Sequence, residues 1–383
     1  MEVLEAKTKS IGIKLEQVKI HFDNQIFRLQ KYGGISRYFV RLAEQLLSMN
    51  QSPKILGGFH INAYLRDLDS SIAKGFYVDK YPKGTIRLLR DSGKWINKGY
   101  SFLAKPDIVH ETYFSAAPVL RGGKRRVITE YDSLHELYPD LFPQNQIKTQ
   151  EKKIAFERSD LVLAISHQTK SDMMEFFDLP EDKIQVTHLA ADPKIEDHLI
   201  EYPESSGRPF LLFVGIRLKH KNFERFVRAF AASDRMKSEL DLVVFTPFPF
   251  SQEEYQLFKE IGLTADQVKR VSGDDHKLFG YFKTARAFVY PSLYEGFGIP
   301  PLEAMTYDCP VVCSNNSSLP EVVGDAALTF DPSIIEEMTT QMEKMAFEDS
   351  LRTYFIQKGK ERRALFSWEK TAKETLHHYQ SLV

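Results

Sequence analysis

The stretch YPSLYEGFGIPPLEAMTYDCPVVCSNNSSLPEVVGDAALTFDP, residues 290–332, decides the fold of this chain. An apolar strand pattern leads into a turn with Gly296 and Gly298, and Pro300 and Pro301 then open a helix, where proline is tolerated. Free backbone amides at a helix start, together with the helix dipole, form an anion site. The pattern therefore predicts a diphosphate-binding turn between a strand and a helix.

Two glutamates flank this turn. Glu295 comes just before it and Glu303 lies one turn into the helix, while the amides of Phe297, Gly298 and Ile299 are expected to be free between them. A carboxylate that accepts from two sugar hydroxyls is a good ribose clamp, so both glutamates are candidate ligand contacts. The alternative is that they only interact favourably with the helix dipole.

Short apolar runs alternate with amphipathic helical patterns on either side of this stretch. Alternation of strands and helices predicts parallel sheets covered by helices, and two such sets predict two doubly wound domains. The polar stretch at 198–209 is the expected boundary. Ligands of such sheets bind at the carboxyl ends of strands, and a cleft between two domains is the default site. The runs lie at 17–22, 106–111, 125–131, 161–166, 184–189, 210–215, 240–245, 285–290 and 309–314.

The segment FLLFVGIRLKHKNFERFVRAF, residues 210–230, predicts a strand that ends at Gly215, a basic loop and a helix that begins near Asn222. Lys221 near a helix start can reach a phosphate as a point charge. The alternative is a solvated basic loop. Gly33 and Gly34 precede another amphipathic helix, and paired glycines permit close approach to a ligand. They lack the spacing of a nicotinamide-binding fold.

Residues 290–332 resemble the signature of glycosyltransferase family 4, a group of retaining enzymes with the GT-B fold. The Lys221–Asn222 pair matches the family pattern, and His220 stands where the family has arginine, so that Arg217 or Lys219 is expected to compensate. FDNQIFRLQKYGGISRYF at 22–39 is similar to a bacterial surface-polysaccharide subset. Asp308 stands where the family usually has glycine.

The resemblance implies an α/β fold of two Rossmann-like doubly wound domains that face a central cleft. Residues 1–200 would bind the acceptor, residues 201–365 would bind the nucleotide sugar, and a helix at 366–383 would cross back to the first domain. Ser166 is expected to cap a helix that begins at Gln168 or Thr169.

The resemblance also assigns residue roles. Catalysis would fall to Glu295, Lys221 and Arg217. The donor would be bound by Gly33, Gly34, Gly215, Lys221, Phe297, Gly298, Ile299 and Glu303. The acceptor would meet His110, Glu111, Tyr131, Asp132 and His135, with Tyr131 at a position where the family often has histidine.

No cofactor and no metal are expected, since the family generally works without a bound metal. Asp67 and Asp69 have the spacing of a metal-binding pair but lie in a polar helical pattern, and Asp274 and Asp275 are expected to form a loop pair. The two cysteines, Cys309 and Cys313, lack the further ligands that a zinc site needs and are expected to be reduced.

Charge is distributed unevenly along the chain. Residues 1–130 carry 22 lysines and arginines against 12 acidic residues, a net charge of +10, whereas the whole chain carries −1. Basic clusters at Lys83–Lys98 and Arg121–Arg126, with apolar neighbours such as Trp95 and Phe102, predict a surface for anionic membranes. The alternative is a solvated basic face.

The chain opens without the apolar region of a signal peptide, and no run reaches the length of a membrane span. We therefore expect a cytoplasmic protein, peripheral on the inner face of the cell membrane. Its expected partners are a nucleotide-sugar donor and a saccharide or polyprenyl-linked acceptor, with no nucleic acid. Two other functions stay open: a nucleotide-sugar epimerase or hydrolase, and a non-catalytic nucleotide-sugar-binding protein.

Overall fold

The structure is a computed structural model that describes residues 17–81, 95, 97–142, 146–203, 207–264 and 266–383. The basic residues Lys83, Arg87, Arg90 and Lys94 and part of the expected domain boundary, at 204–206, lie outside the described residues.

Thirteen described strands form two sheets, one of seven strands in the order β3-β2-β1-β4-β5-β6-β7 and one of six in the order β10-β9-β8-β11-β12-β13. All strand pairings with a stated register are parallel. The strands are β1 (Lys19–Phe22), β2 (Ser52–His60), β3 (Ala73–Tyr77), β4 (Ile108–Glu111), β5 (Arg125–Glu130), β6 (Leu161–Ala164), β7 (Ile184–Val186), β8 (Phe210–Val214), β9 (Asp241–Phe245), β10 (Val268–Val271), β11 (Ala287–Tyr290), β12 (Val311–Ser314) and β13 (Ala327–Phe330). The predicted α/β class with two doubly wound sheets is confirmed.

Helices connect these strands, as parallel pairing requires. They are α1 (Gln25–Leu29), α2 (Gly34–Ser48), α3 (Ala63–Arg66), α4 (Leu134–Leu137), α5 (Gln146–Glu157), α6 (His167–Phe177), α7 (Phe223–Ala231), α8 (Asp234–Glu239), α9 (Gln252–Glu260), α10 (Asp275–Thr284), α11 (Ile299–Thr306), α12 (Leu319–Val323), α13 (Ile335–Phe347), α14 (Asp349–Arg363) and α15 (Trp368–Leu382). Residues 95 and 97–104 are also helical. None of the described helices is long and apolar enough to cross a membrane.

Local structure corrects three expectations. The loop expected before Gly33 contains the short helix α1. Ser166 caps α6 as predicted, but the helix begins at His167. Asp274 is not a loop residue: its side chain caps α10 by accepting from the amide of Lys277.

Residue contacts divide the chain into two compact units. Unit 1 comprises the described parts of Met1–Thr129, Gln150–Val162 and Ala372–Val383, and unit 2 comprises those of Glu130–Thr149 and Leu163–Thr371.

Unit 1 has the crossover point of its sheet at β1, which pairs with β2 on one side and β4 on the other. The carboxyl ends of β1 and β4 therefore meet, and there Thr112 donates both its amide and its hydroxyl to Asp23. Tyr379 of α15 is buried against β4, with its hydroxyl 2.6 Å from Nδ1 of His110. The end of the last helix thus packs on the sheet of unit 1.

Unit 2 buries an aromatic core between the six-stranded sheet and its helices. Phe213 of β8 stacks on Phe226 of α7, and Phe223 contacts Phe213 edge-on. The crossover point lies at β8, which pairs with β9 and β11. In open parallel sheets such a point leaves a crevice at the carboxyl ends of the two strands. The chain segments that follow β8 and β11 are therefore the expected walls of a ligand site.

Candidate active site

Lys221 and Glu295 meet at the crossover point of unit 2. Lys221 closes a 3-10 turn after β8, and Glu295 follows β11. Lys221 Nζ lies 2.6 Å from Glu295 Oε1 and donates to the hydroxyl of Tyr290 at 3.3 Å. The side chains are 17% and 13% exposed, so this is a largely buried ion pair. The two residues chosen from the sequence are brought together, with one edge of the pair open to solvent.

Tyr290 completes this group and was not singled out from the sequence. It is buried, and burial together with the charge of Glu295 raises the pKa of its hydroxyl well above the ordinary value. The charge of Glu303 acts in the same direction, which places that carboxylate near the same hydroxyl. Tyr290 is therefore a neutral hydroxyl, positioned to orient Lys221.

The strand, turn and helix that the sequence predicts as an anion site are present as β11, the Gly298 turn and α11. Gly298 adopts a φ of 98°, and a Cβ there would lie 2.8 Å from a methyl of Leu319. Side chains rarely adopt such a φ, so glycine is required. Because Pro300 and Pro301 have no N–H, the amide donors of this helix start belong to residues no later than Ile299. The number of donors is smaller than at an ordinary helix start.

Two serines from the loop after β12 hold the backbone of this turn. Ser318 Oγ donates to the carbonyls of Glu295 at 2.9 Å and Phe297 at 2.8 Å, and Ser317 Oγ accepts from the amide of Glu295 at 3.1 Å. Sequence reasoning did not assign them a role, although they lie inside the stretch that decided the fold. These hydrogen bonds fix the direction in which the side chain of Glu295 points away from the backbone.

Gly296 is the contact point between this turn and residues 131–132. A Cβ on Gly296 would lie 1.8 Å from the carbonyl oxygen of Tyr131. The carbonyl of Gly296 in turn accepts from Ser166 Oγ at 2.6 Å and Thr169 Oγ1 at 3.1 Å. Glycine is needed here for close approach. The contact places Tyr131 and Asp132, two predicted acceptor residues, beside Glu295.

His220 lies in the same group of charges. It is buried, and desolvation, helped by the charge of Lys221, lowers its pKa, while Glu295 and Asp132 oppose that shift. The imidazole is therefore neutral at pH 7. It does not supply the positive charge of the arginine that the family has at this position.

Tyr294 and Asp172 form a second buried contact that sequence reasoning missed. Tyr294 donates to Asp172 Oδ2 at 2.5 Å and accepts from the amide of Ser133 at 3.1 Å. Burial raises the pKa of Asp172. These bonds attach the residues just before Glu295 to both α6 and the segment that follows β5.

Arg217, the expected replacement cation, makes other contacts. Its guanidinium donates to both oxygens of Glu254, at 2.5 and 2.9 Å, and to the carbonyl of Pro249 at 2.7 Å. The side chain is only 7% exposed. Arg217 thus connects the loop after β8 to α9. Along the chain, the exposed Lys219 is nearer to Lys221 than Arg217 is.

The predicted acceptor residues His110 and Glu111 are completely buried in unit 1. His110 contacts the hydroxyls of Tyr379 and Thr129, and Glu111 accepts from Arg126 at 2.6 Å and also pairs with Arg158. Both side chains are thus engaged in contacts inside unit 1. His135 of unit 2 is partly exposed and packs edge-on against Phe142.

Gly33 and Gly34 open α2 in unit 1. Gly33 is the N-cap in extended backbone, where its Cβ would meet only the flexible side chain of Gln30, and Gly34 has no neighbour within 4 Å of a Cβ. Neither backbone conformation requires glycine, but a Cβ on Gly33 would lie 2.3 Å from Oε1 of Gln30, which accepts from the amide of Ser36. Gly215 differs, because its φ of 131° favours glycine at the end of β8.

One group among the described residues has the side chains that a metal ion would need. Ligand atoms of His167, His188 and Glu321 lie within 4.8 Å of one another. Glu321 already accepts from the amide of His167 and from His188 Nε2. These hydrogen bonds lower the pKa of the Glu321 carboxyl, although burial opposes them. The group joins α6, the segment after β7 and α12, and it has the composition of a metal site.

An open cavity of about 1500 Å³ lies beside the 3-10 turn of unit 2. Its lining includes Arg217, Lys219 and Phe248 but neither Lys221 nor Glu295. Lys221 and Glu295 therefore do not line this cavity.

Known proteins resemble the chain along most of its length. The family model described as Glycosyltransferase Family 4 matches residues 32–194, and that described as Glycosyl transferases group 1 matches residues 194–362. O-antigen chain mannosyltransferase B of Escherichia coli is 30% identical over 275 residues, 68% of this chain and 71% of that protein.

A second relative matches more of the chain. A Campylobacter jejuni protein, N-acetylgalactosamine-N,N'-diacetylbacillosaminyl-diphospho-undecaprenol 4-alpha-N-acetylgalactosaminyltransferase, is 26% identical over 79% of this chain and 80% of its own length. Among solved structures, Anabaena HepE in complex with UDP-glucose superposes with a TM-score of 0.70 at 16% identity, covering 95% of this chain and 100% of HepE. The structural likeness supports the GT-B fold.

Proposed function

The chain belongs to glycosyltransferase family 4, and we propose that it is a retaining enzyme of bacterial polysaccharide synthesis that transfers a sugar from a nucleotide diphosphate sugar to a saccharide or lipid-linked saccharide. The observation that carries this proposal is the Lys221–Glu295 pair beside the Gly298 turn, at the crossover point of the six-stranded sheet. A cation, amide donors and a carboxylate converge there.

Each group has a role that follows from its chemistry. The donor diphosphate lies against the amides at the start of α11 and the ammonium of Lys221. Lys221 then exchanges part of its contact with Glu295 for the phosphate. Glu295 accepts from hydroxyls of the transferred sugar, and Glu303, farther along α11, accepts from the ribose.

Transfer with retention proceeds by attack on the face from which the diphosphate leaves. The anomeric carbon–phosphate oxygen bond breaks as the acceptor oxygen bonds to that carbon, and the acceptor proton passes to the leaving phosphate. A double displacement would need a free carboxylate beneath the sugar. Glu295 is instead held by Lys221. The protein's main contribution is to stabilise charge on the diphosphate as it develops.

Two considerations support a lipid-linked acceptor. The name of the Campylobacter jejuni relative contains a diphospho-undecaprenol carrier, and that of the Escherichia coli relative an O-antigen chain. A polyprenyl-linked acceptor would place this chain at the inner face of the cell membrane. Acceptor contacts in unit 2 are then assigned to Tyr131 and Asp132, which lie against Gly296, and to His135, which follows them along the chain.

A panel of nucleotide sugars tests the proposal. Each sugar, with UDP, GDP, ADP or dTDP as the nucleotide, is screened by thermal shift, because a ligand that binds only the folded state raises Tm. Lys221→Ala should abolish the shift given by the best donor and lower kcat by about 100- to 1000-fold, whereas the exposed control Lys259→Ala on α9 should change neither strongly.

The outcomes separate the alternatives. Sugar transfer that depends on an added acceptor and keeps the anomeric configuration supports the proposal. Release of free sugar at the same rate without acceptor would indicate a hydrolase. Binding of donor with no turnover under any acceptor would indicate a nucleotide-sugar-binding protein.

A further inference from the structure

The helix formed by residues 95 and 97–104 of unit 1 has its apolar side turned outward. Trp95, Phe102 and Leu103, spaced i, i+7 and i+8 on one face, are 72%, 60% and 79% exposed. Polar Asn97 and Ser101 face inward and are 5% and 0% exposed. This is the reverse of the arrangement that a surface helix of a globular protein normally has.

The inward polar residues show that the orientation is fixed by hydrogen bonds. Asn97 Nδ2 donates to the carbonyl of Leu56 in β2 at 2.6 Å, and Ser101 Oγ lies 3.1 Å from Nδ1 of His21 in β1. Rotating the helix to bury Trp95 and Leu103 would break both contacts. Single exposed apolar residues are ordinary, but a group on one face marks a surface that binds something apolar.

Positive charges surround this face. Lys98 Nζ lies 5.7 Å from the centre of the Trp95 ring, and the exposed Lys105 directly follows the helix. The turn at 121–124 packs against the same helix, since a Cβ on Gly122 would lie 3.2 Å from Cα of Phe102. That turn adds the exposed Arg121 and Lys124, the latter paired with Asp107.

We propose that this surface, defined by Trp95, Phe102 and Leu103 with the rim Lys98, Lys105, Arg121 and Lys124, docks on a bilayer that contains anionic lipid. The aromatic and aliphatic groups enter the boundary between headgroups and acyl chains, and the rim contacts the negatively charged headgroups. A second copy of the chain fits less well, because two such rims would repel each other. The proposal is argued from unit 1 alone, and the lipid-linked acceptor of the proposed function supplies its biological reason.

The two tryptophans make this surface directly observable. Trp95 is exposed, whereas Trp368 is buried and donates to Asp192 at 2.7 Å. Insertion should therefore shift emission of the full chain to shorter wavelength, and brominated lipids should quench it. Trp95→Phe should remove both signals while the chain still sediments with vesicles, more weakly than the wild type.

Co-sedimentation of the full chain with phosphatidylcholine vesicles, with or without phosphatidylglycerol, measures the charge requirement. Binding should need the anionic lipid and fall between about 50 and 500 mM salt, as screening shortens the Debye length. Neutralising Lys98, Lys105 and Arg121 to Gln should weaken binding about fivefold per charge. The matched control neutralises Lys259, Lys360 and Lys373, which are exposed elsewhere, and should leave binding unchanged.

The apolar part is tested by Phe102→Ser with Leu103→Ser, which keeps Trp95 as the reporter. This variant should lose the blue shift and quenching, whereas Phe76→Ser, at an exposed aromatic on edge strand β3, should keep them. Equal binding to neutral and anionic vesicles, no binding to either, or concentration-dependent dimers that protect Trp95 would overturn the proposal. Transfer to a soluble acceptor analogue, measured without vesicles, shows separately whether the proposed function holds.

Discussion

At the scale of single residues, the site depends on charges that are paired inside unit 2 before any ligand arrives. Lys221 is neutralised by Glu295 and oriented by Tyr290. Removing one member of a buried pair leaves the other uncompensated, so variants of this pair affect folding as well as binding. Glu303, in the second turn of α11, tests the donor assignment at a residue outside this pair.

Glu303→Ala should weaken binding of the nucleoside diphosphate more than it affects folding. A hydrogen bond from a ribose hydroxyl to a carboxylate contributes about 1.5–3 kcal/mol, which corresponds to roughly 10- to 150-fold in Kd. Isothermal titration and urea denaturation measure the two effects. The control Glu336→Ala changes an exposed glutamate in the first turn of α13. Unchanged nucleotide affinity in Glu303→Ala would refute the ribose assignment.

Asp308 shows how a residue that departs from the family pattern is accommodated. It has a φ of 58°, a conformation that glycine adopts without strain and that aspartate tolerates better than most residues. Its carboxylate lies 3.4 Å from Lys360 of α14. The substitution therefore preserves the backbone that ends the α11 segment.

At the scale of elements, the turn between β11 and α11 is the part of the site with least room. Gly296→Ala should force either this turn or the Tyr131 carbonyl to move, since the new methyl would lie 1.8 Å from that oxygen. Overpacking of this kind costs about 1–3 kcal/mol. Urea denaturation should show the loss, and kcat should fall further than stability explains.

Gly99→Ala is the matched control, because a Cβ there has no neighbour within 4 Å. A Gly296→Ala variant with the stability and turnover of the control would contradict the close contact between Gly296 and Tyr131.

Three neighbouring strands of unit 1 carry buried histidines. Burial lowers the pKa of His21 in β1 and His60 in β2 to about 4, and that of His110 in β4 to about 3. The folded state keeps them neutral, whereas unfolded histidine takes up a proton below about pH 6.5. Above that pH they do not affect the pH dependence of stability, and the free energy of unfolding decreases as the pH falls from about 6.5 towards 4.

Urea denaturation between pH 7.5 and 5 measures this loss. Each histidine contributes a slope of at most about 1.36 kcal/mol per pH unit below pH 6.5. His110→Asn should lower stability at pH 7.5 but remove up to about 1.36 kcal/mol per pH unit from the slope. Burial also raises the pKa of Asp23. Its effect on the slope is present in the wild type and in the variant, so it cancels in the comparison. An identical slope in the variant would show that His110 is protonated in the folded state.

At the scale of the whole molecule, the expected independence from metal ions can be tested directly. EDTA should leave transfer nearly intact, because Lys221 and the start of α11 provide the positive groups that a cation would otherwise supply to a diphosphate. Metal-saturated EDTA is the control for the chelator itself.

Loss of activity on chelation, restored by magnesium or manganese, would contradict a metal-free mechanism. His188→Ala would then show whether the His167, His188 and Glu321 group is responsible, since this change removes one of its three ligand groups. An EDTA effect that persists in that variant would instead indicate a metal carried by the donor.

The sequence by itself determined the fold class, because central parallel strands are buried on both faces and appear as continuous apolar runs. All nine runs that were named form strands. Of the four strands that were not named, β3, β10 and β13 lie at sheet edges and are partly exposed, and β2 contains Pro53, Gly57 and Gly58. Their patterns are weak because burial on one side demands less apolar sequence.

The sequence also determined the turn at Gly298 and the choice of Lys221 and Glu295, since these depend on a few consecutive residues. Only the tertiary structure decided the partners: Lys221 pairs with a residue 74 positions away, and Arg217 pairs with Glu254. Such partners are set by which strands become neighbours at the crossover point. Local sequence patterns record the burial of a residue but not the identity of the chain segment that buries it.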